Sequence, residues 1–315
     1  SFTDKEGSDF HKCGLIDVPA FAVSVQKSLS NGQVQPIPNP PNKKSEQWIM
    51  DFKKLYPEQS AKNVVVYGDL PSLKVVKLQY DAAVQAVGGI QQLDALSYPV
   101  AGMPDWTPLA QKVIDSGAGS LYWIGEPGNA ANLMSKLKEQ GWKGVALNET
   151  NVYDPVFFSQ GAAAVDGSVI RLGFHPFEEA DKWPAMGQLV KILDSWDPAW
   201  ERAGLATQAF SASLLFATAA KACADAGEIS RACVLQAGKD VHEWDGGGLH
   251  AVADPGANTP ADCAMLVQIK DGKFERLFPE LGSEDDNGEG FFCSPTVKLT
   301  GDFGKGNTDS SILGS

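Results

Sequence analysis

Between residues 63 and 153 short apolar runs alternate with longer stretches in which apolar residues recur every three or four positions. The runs NVVVYGD (63–69), QQLDALSYPV (91–100), GSLYWIGE (119–126) and KGVALNET (143–150) read as strands, each ending in a polar, Gly-containing loop. The segments 73–89, 106–117 and 129–141 read as helices, with Leu109, Val113 and Ile114 on one face of the second and Leu133, Met134 and Leu137 on one face of the third. Near-continuous apolar strands separated by amphipathic helices predict a parallel sheet covered on both faces. Ligands of such sheets bind in the crevice beyond the carboxyl ends of the strands. That rule directs attention to Asp69, Glu126, Glu149 and Asn151, which close three of the four strands.

The flanking segments extend this pattern. Residues 13–24 read as a strand ending in small residues, 33–41 as an extended Pro-rich segment, and 42–56 as a helix capped by Ser45, with Trp48, Ile49, Phe52 and Leu55 on one face. A fifth strand is expected at 166–177, followed by helices at 185–196, 206–227 and 229–240. Helix 206–227 is apolar all round and should lie buried between layers. The Gly/Pro-rich stretch 246–263 reads as a crossover between domains, and 263–278 as a hairpin turning at Asp271-Gly272. The acidic, Gly-rich tail from Glu280 should be loosely ordered apart from Cys293 and the strand TVKLT.

A chain of 315 residues is long enough for two domains. Its net charge of −13 repels phosphate backbones, so no nucleic-acid partner is expected. No apolar run approaches the roughly 20 residues that span a bilayer. Of the five cysteines, Cys223 and Cys233 flank a turn, and Cys263 and Cys293 flank the hairpin and the acidic loop. Two disulfides, 223–233 and 263–293, fit that spacing and leave Cys13 over; they imply an oxidising compartment. Five free thiols of a cytosolic protein are the alternative. A metal site is not expected, because no CxxC pair occurs and the four histidines are scattered.

Catalytic signatures are missing: there is no GxSxG, HExxH or Walker loop. The acidic strand ends are the sharper signal, since carboxylates so placed could hold a small cationic group such as an ammonium. Each could instead cap the helix that follows. Asp69 is equally suited to both roles; Asp105 reads as a cap. Glu126 is freer to face a ligand, because Asn129 is the better cap. His175, between Phe174 and the Pro176-Phe177 pair, sits where the fifth strand leaves the sheet and is a further ligand candidate.

Taken in order, NVVVYGD, DWTPLAQKVIDSG, SLYWIGEP, KGVALNETNVYD, VDGSVIRLGFHPFEEA, QAFSASLLFATAAKAC, GGGLHAVADPGAN and VQIKDGKF resemble the type I periplasmic-binding-protein family, in its branched-chain amino-acid-binding branch of solute receptors for ABC transporters. The form with FHPFEEA and GGGLHA resembles actinobacterial members. The resemblance implies a two-lobe α/β fold of parallel sheets flanked by helices, joined by three crossovers near Ser60, 175–178 and 251–260. Residues 1–60 and 178–250 would belong to lobe one, and 61–177 and 251–315 to lobe two. Lobe one would be incomplete: on the order of 60–100 residues, two or three βα units, would precede Ser1 and hold the partner of Cys13.

Carried over by position, the resemblance places Phe2, Ala20, Phe21 and Ala22 in the cleft from lobe one. It adds Asp69, Glu126, Asn151 and His175 from lobe two, and Gln208 and Phe210 from the start of the long helix. In amino-acid binders of the family, backbone amides and hydroxyls hold the carboxylate and an acidic side chain the ammonium; here the lobe-one segment is PAFAV rather than Ser/Thr-rich. The implied function is that of an extracytoplasmic, lipid-anchored, monomeric solute-binding protein of an ABC importer. It would take a small polar solute (an amino acid or a related small amide or carboxylate), deliver it to a membrane permease, and need no cofactor or metal. A sensory receptor ectodomain of the same fold, or an enzyme using Glu126 with Glu149, are the alternatives.

Overall fold

The computed structural model describes residues 14–308. Its centre is a nine-stranded sheet built from β2 (Lys62–Gly68), β3 (Gln91–Gln92), β4 (Leu96–Tyr98), β5 (Ser120–Ile124), β6 (Val145–Asn148), β7 (Val169–Leu172), β8 (Cys263–Lys270), β9 (Lys273–Phe278) and β10 (Phe292–Cys293). The spatial order is β10, β8, β7, β6, β5, β2, β3, with β4 also on β2 and β9 also on β8. From β2 to β7 every pairing is parallel; β8 joins β7 antiparallel and turns back through β9. The hairpin turns at Asp271-Gly272, both in the left-handed region at φ 51° and 76°.

The two-residue period of the strands divides the core between the faces. Val64, Val66, Leu121, Trp123, Ile170 and Leu172 pack with helices Thr107–Asp115 and Pro127–Glu139 on one face. Val65, Tyr122, Ile124, Leu147 and Val169 pack with helices Gln47–Leu55 and Pro71–Val87 on the other. Trp48, Tyr80 and Tyr122 stack there, the two tyrosine rings 3.8 Å apart. The 91–100 segment is broken rather than continuous: β3 pairs with the start of β2 and β4 with its end. Strand 166–177 is ordered as a strand only over Val169–Leu172.

A second group of helices, Pro184–Trp196, Gly204–Asp225 and Arg231–Lys239, lies beyond the sheet. The long helix buries one stripe, including Thr207, Gln208, Ser211, Leu215, Ala219 and Cys223, and leaves Phe216 half exposed at 50%. The expectation of burial on all sides is therefore corrected: among the described residues only one face is covered. Cys223 and Cys233 are bridged, tying that helix to the next, and Cys263 and Cys293 are bridged across the β8–β10 pair.

Two chain segments cross side by side between the sheet and this helical group. His175 donates its N–H to Leu249 O at 3.1 Å, and Ala251 donates to Gly173 O at 2.9 Å. His250 anchors the crossing: Nδ1 lies 2.9 Å from Ala251 O, a pure acceptor, so Nδ1 carries the proton and Nε2 accepts from the Ser211 hydroxyl at 2.8 Å. Trp244 Nε1 in turn donates to Ser211 Oγ at 2.9 Å. Helix Gln47–Leu55, which a boundary at Ser60 assigns to lobe one, packs instead on the sheet through Trp48, Ile49 and Phe52.

The tail is more ordered than its composition suggests. Asp286 accepts the backbone N–H groups of Gly282, Gly288 and Gly290 at 2.7–2.9 Å. The two-residue strand β11 (Val297–Lys298) pairs with β1 (Lys43–Lys44), and Asn307 exchanges backbone hydrogen bonds with Gln26 and Asn31.

Candidate functional site

A cavity of about 310 Å³ opens at the carboxyl edge of the sheet. Three consecutive strand ends supply one wall: Ile124 to Pro127 after β5, Glu149 to Asn151 and Asp154 after β6, and Arg171, Gly173 and Phe174 from β7 onward. Leu73, Val76 and Gln79 of the helix after β2, and Cys263 and Ala264 at the start of β8, close its sides. The facing wall comes from Phe21 and Val23, from 37–39 and 43–45, and from Leu205 and Gln208 of the long helix. Placement beyond the strand ends is what a parallel sheet dictates, because there the loops diverge and leave a crevice.

The floor is an ion cluster. Glu149 Oε2 accepts Arg171 Nε at 2.6 Å, and Oε1 accepts Lys44 Nζ at 3.1 Å together with the Tyr122 hydroxyl. Lys44 also donates to Gln79 Oε1 at 3.2 Å, and both Lys44 and Arg171 lie over the Trp48 ring, 5.4 Å from its centre. The side chains of Lys44, Glu149 and Arg171 are 6%, 13% and 24% exposed. Burial alone would raise the pKa of Glu149, but the charges of Arg171 and then Lys44 outweigh it and hold the carboxyl well below the usual carboxylate range. Burial, helped by Arg171 and opposed by Glu149, brings Lys44 down to about 8.

Two cations thus share one carboxylate. Among the described residues neither terminal nitrogen of Arg171 has a hydrogen-bond partner, and Lys44 keeps one N–H unused. Ser45 Oγ and Gln208 Oε1, on residues 7% and 6% exposed, also line the cavity without partners. Buried polar groups are nearly always paired, so these atoms are available to hydrogen-bond a molecule placed in the cavity.

Of the residues singled out in the sequence, Phe21, Glu126, Glu149, Asn151 and Gln208 line this cavity. Glu126 sits at the N-cap of helix Pro127–Glu139 but makes no capping bond, and Asn129, the expected cap, instead donates to Val100 O at 3.0 Å. Asn151 donates to Gly125 O at 2.8 Å. The other positions lie elsewhere. Asp69 is exposed and pairs with Lys74 at 3.0 Å, neither capping nor facing the cavity. His175 is buried and stacked on Trp183 with ring centres 3.9 Å apart; burial and the nearby Arg276 push its pKa down to about 3. Ala22 is fully buried, Ala20 does not reach the cavity, and Phe210 packs on the core. Phe2 lies outside the described residues.

Sequence reasoning missed Lys44, Ser45 and Arg171, and gave Glu149 no partner. Ser45, expected as a helix cap, instead lines the cavity, because the helix starts two residues on with Glu46 at its N-cap. Among the described residues no group of three or more His, Cys, Asp or Glu could hold a metal ion. No described helix is long and apolar enough to cross a membrane.

The sequence profile of the periplasmic binding protein family matches residues 47–273, more than half of the chain. The chain belongs to that family. Solved structures of similar fold bear out the two-lobe type I architecture. One is a branched-chain amino-acid ABC transporter protein from Thermus thermophilus with bound valine, at 17% identity and a TM-score of 0.70 over 90% of this chain and 77% of that one. Another is a fatty-acid ABC transporter substrate-binding protein from Thermomonospora curvata, at 15% identity and a TM-score of 0.73 over 90% and 72%. A third is a leucine-binding protein from Thermotoga maritima, at 16% identity and a TM-score of 0.68 over 85% and 73%. At such identities the likeness is one of fold. Among curated protein sequences no significant match is found.

Proposed function

We propose that this periplasmic binding protein is the solute-binding component of an ABC importer and takes a small solute, an amino acid or a related small amide or carboxylate, into the cavity at the strand ends. The observation that carries the reading is a set of polar groups with hydrogen-bonding capacity to spare, the terminal nitrogens of Arg171, Lys44 Nζ, Ser45 Oγ and Gln208 Oε1, lining one crevice. Solute enters between two bodies and closure brings Phe21 and Gln208 against Glu126, Asn151 and the Lys44–Arg171 floor. In this reading the second and third crossings lie at 173–178 and 249–260. The first lies ahead of Gln47 rather than near Ser60, since helix Gln47–Leu55 travels with the sheet.

The family and the two disulfides support a site of action outside the cytoplasm. Binding proceeds without turnover in this reading: Glu149, the partner that an enzyme would set beside Glu126, is committed to two cations and a tyrosine. Thermal-shift measurements over amino acids, amides and organic acids test the reading, with isothermal titration of the hits. Saturable binding of one class is expected; a folded protein that no solute stabilises would refute it.

A further inference from the structure

The charges around the cavity narrow the class of solute. Three cations, Lys43, Lys44 and Arg171, and three acids, Glu126, Glu149 and Asp154, line it. They are not evenly distributed. Glu149 already takes three donors, and Asp154 Oδ1 accepts the Val156 N–H at 2.8 Å, in an exposed contact where water screens its charge. Glu126 is exposed, where water screens it. Lys43 is tied to Ala257 O and Thr259 Oγ1. What remains at the buried floor is one uncompensated positive charge, on Lys44 and Arg171, with donors to spare. An unpaired buried charge is costly, and a small anion with acceptor oxygens relieves it.

We infer that the solute is a monocarboxylate with an apolar body, its carboxylate held by Lys44 and Arg171 and its body against Phe21, Leu73, Ile124 and Phe174, and that it lacks an α-ammonium group. An α-amino acid fits less well. Its ammonium is fixed one carbon from the carboxylate, so docking the carboxylate on the two cations brings the ammonium to them as well. The apolar side chains suit an aliphatic or aromatic body, and the cavity is at the small end of the range for ligand sites. The inference rests on the solute-binding reading above and names the chemistry of that site.

The test is isothermal titration of the full chain with matched sets: isovalerate, 4-methylpentanoate, octanoate and benzoate, each beside its amide and its amine, and leucine beside 4-methylpentanoate. At least one acid should bind about tenfold or more tightly than its amide, its amine should give no heat, and leucine should bind more weakly than 4-methylpentanoate. Lys44→Met should weaken the acid by about tenfold or more while retaining the wild-type circular dichroism spectrum. Arg171→Gln serves as the second variant should Lys44→Met fail to fold. The inference is overturned if leucine binds more tightly than its desamino acid, if an amide matches its acid, if a folded Lys44→Met or Arg171→Gln binds like wild type, or if no acid binds. An amide, amine or amino acid that binds saturably while the acids do not would overturn this inference alone and leave the solute-binding reading standing.

Discussion

Replacing Glu149 by Gln removes the carboxylate on which the floor of the cavity depends, and its consequences can be worked from the geometry. Gln keeps the shape and one acceptor but leaves Lys44 and Arg171 facing each other over the Trp48 ring without a counter-charge. Breaking a buried ion pair by removing one partner typically destabilises by about 3–5 kcal/mol. Arg171 is a quarter exposed, so water reaches part of it and the lower end, about 3 kcal/mol, is expected. Urea unfolding followed by circular dichroism should show the midpoint fall with an unchanged slope. Lys44→Met in the Glu149→Gln background should recover part of the loss, because it removes one of the two stranded cations. The pH dependence has a defined sign: the folded-state pKa of Glu149 is depressed, so its contribution is complete above the unfolded value of about 4.5 and declines as the pH falls below it. The gap between wild type and Glu149→Gln should narrow over that range. A variant within about 1 kcal/mol of wild type at neutral pH, or a Lys44→Met addition that deepens the loss, would refute the account.

Three further outcomes are expected. His175 and His250 are held neutral by burial, with pKa values down to about 3 and about 4, so stability should fall as the pH drops from about 6.5 toward 4, by about 1.4 kcal/mol per pH unit for each; melting temperatures for wild type and His175→Gln check this, and a variant with the wild-type slope would contradict it. The Cys263–Cys293 bridge spans 30 residues and Cys223–Cys233 spans 10, so the paired Cys→Ser change at 263 and 293 should lower stability by about 3.6 kcal/mol and that at 223 and 233 by about 2.7; urea midpoints in the reverse order would count against the loop-entropy account. At Gly204, which opens the long helix, a Cβ would sit 2.7 Å from Phe174 Cζ and 3.1 Å from Tyr153 Cδ1, so Gly204→Ala should destabilise by about 1–3 kcal/mol despite the better helix propensity of Ala; a raised melting temperature would show that Phe174 yields easily.

How much of this was readable in the chain follows from the range over which each feature is determined. The strands β2, β5 and β6 and the helices between them are fixed by local periodicity, and with them the edge on which a ligand can sit. The hairpin at Asp271-Gly272 and both disulfides are likewise local in origin, since turn chemistry and short loops set them. The side a residue faces at the end of a strand is less secure: Phe174 lines the cavity while His175, one residue on, turns away to Trp183, a difference of one position that composition does not resolve. The floor depends on the longest range of all. Lys44 and Glu149 lie 105 residues apart and meet only because the fold brings the 43–45 segment to the carboxyl end of β6. Nothing local marks Lys44 among 26 basic residues. What distinguishes it is burial beside a second cation with too few carboxylates to match, a property that exists only after the chain has folded. The same reasoning explains why the acidic strand ends cannot be told apart in the sequence: an acid at a strand end can face a ligand, cap a helix or pair with a cation, and Asp69, Glu126 and Glu149 have three different surroundings despite equivalent positions. Charge at such a site must therefore be counted after pairing, and in this protein that count leaves the floor positive.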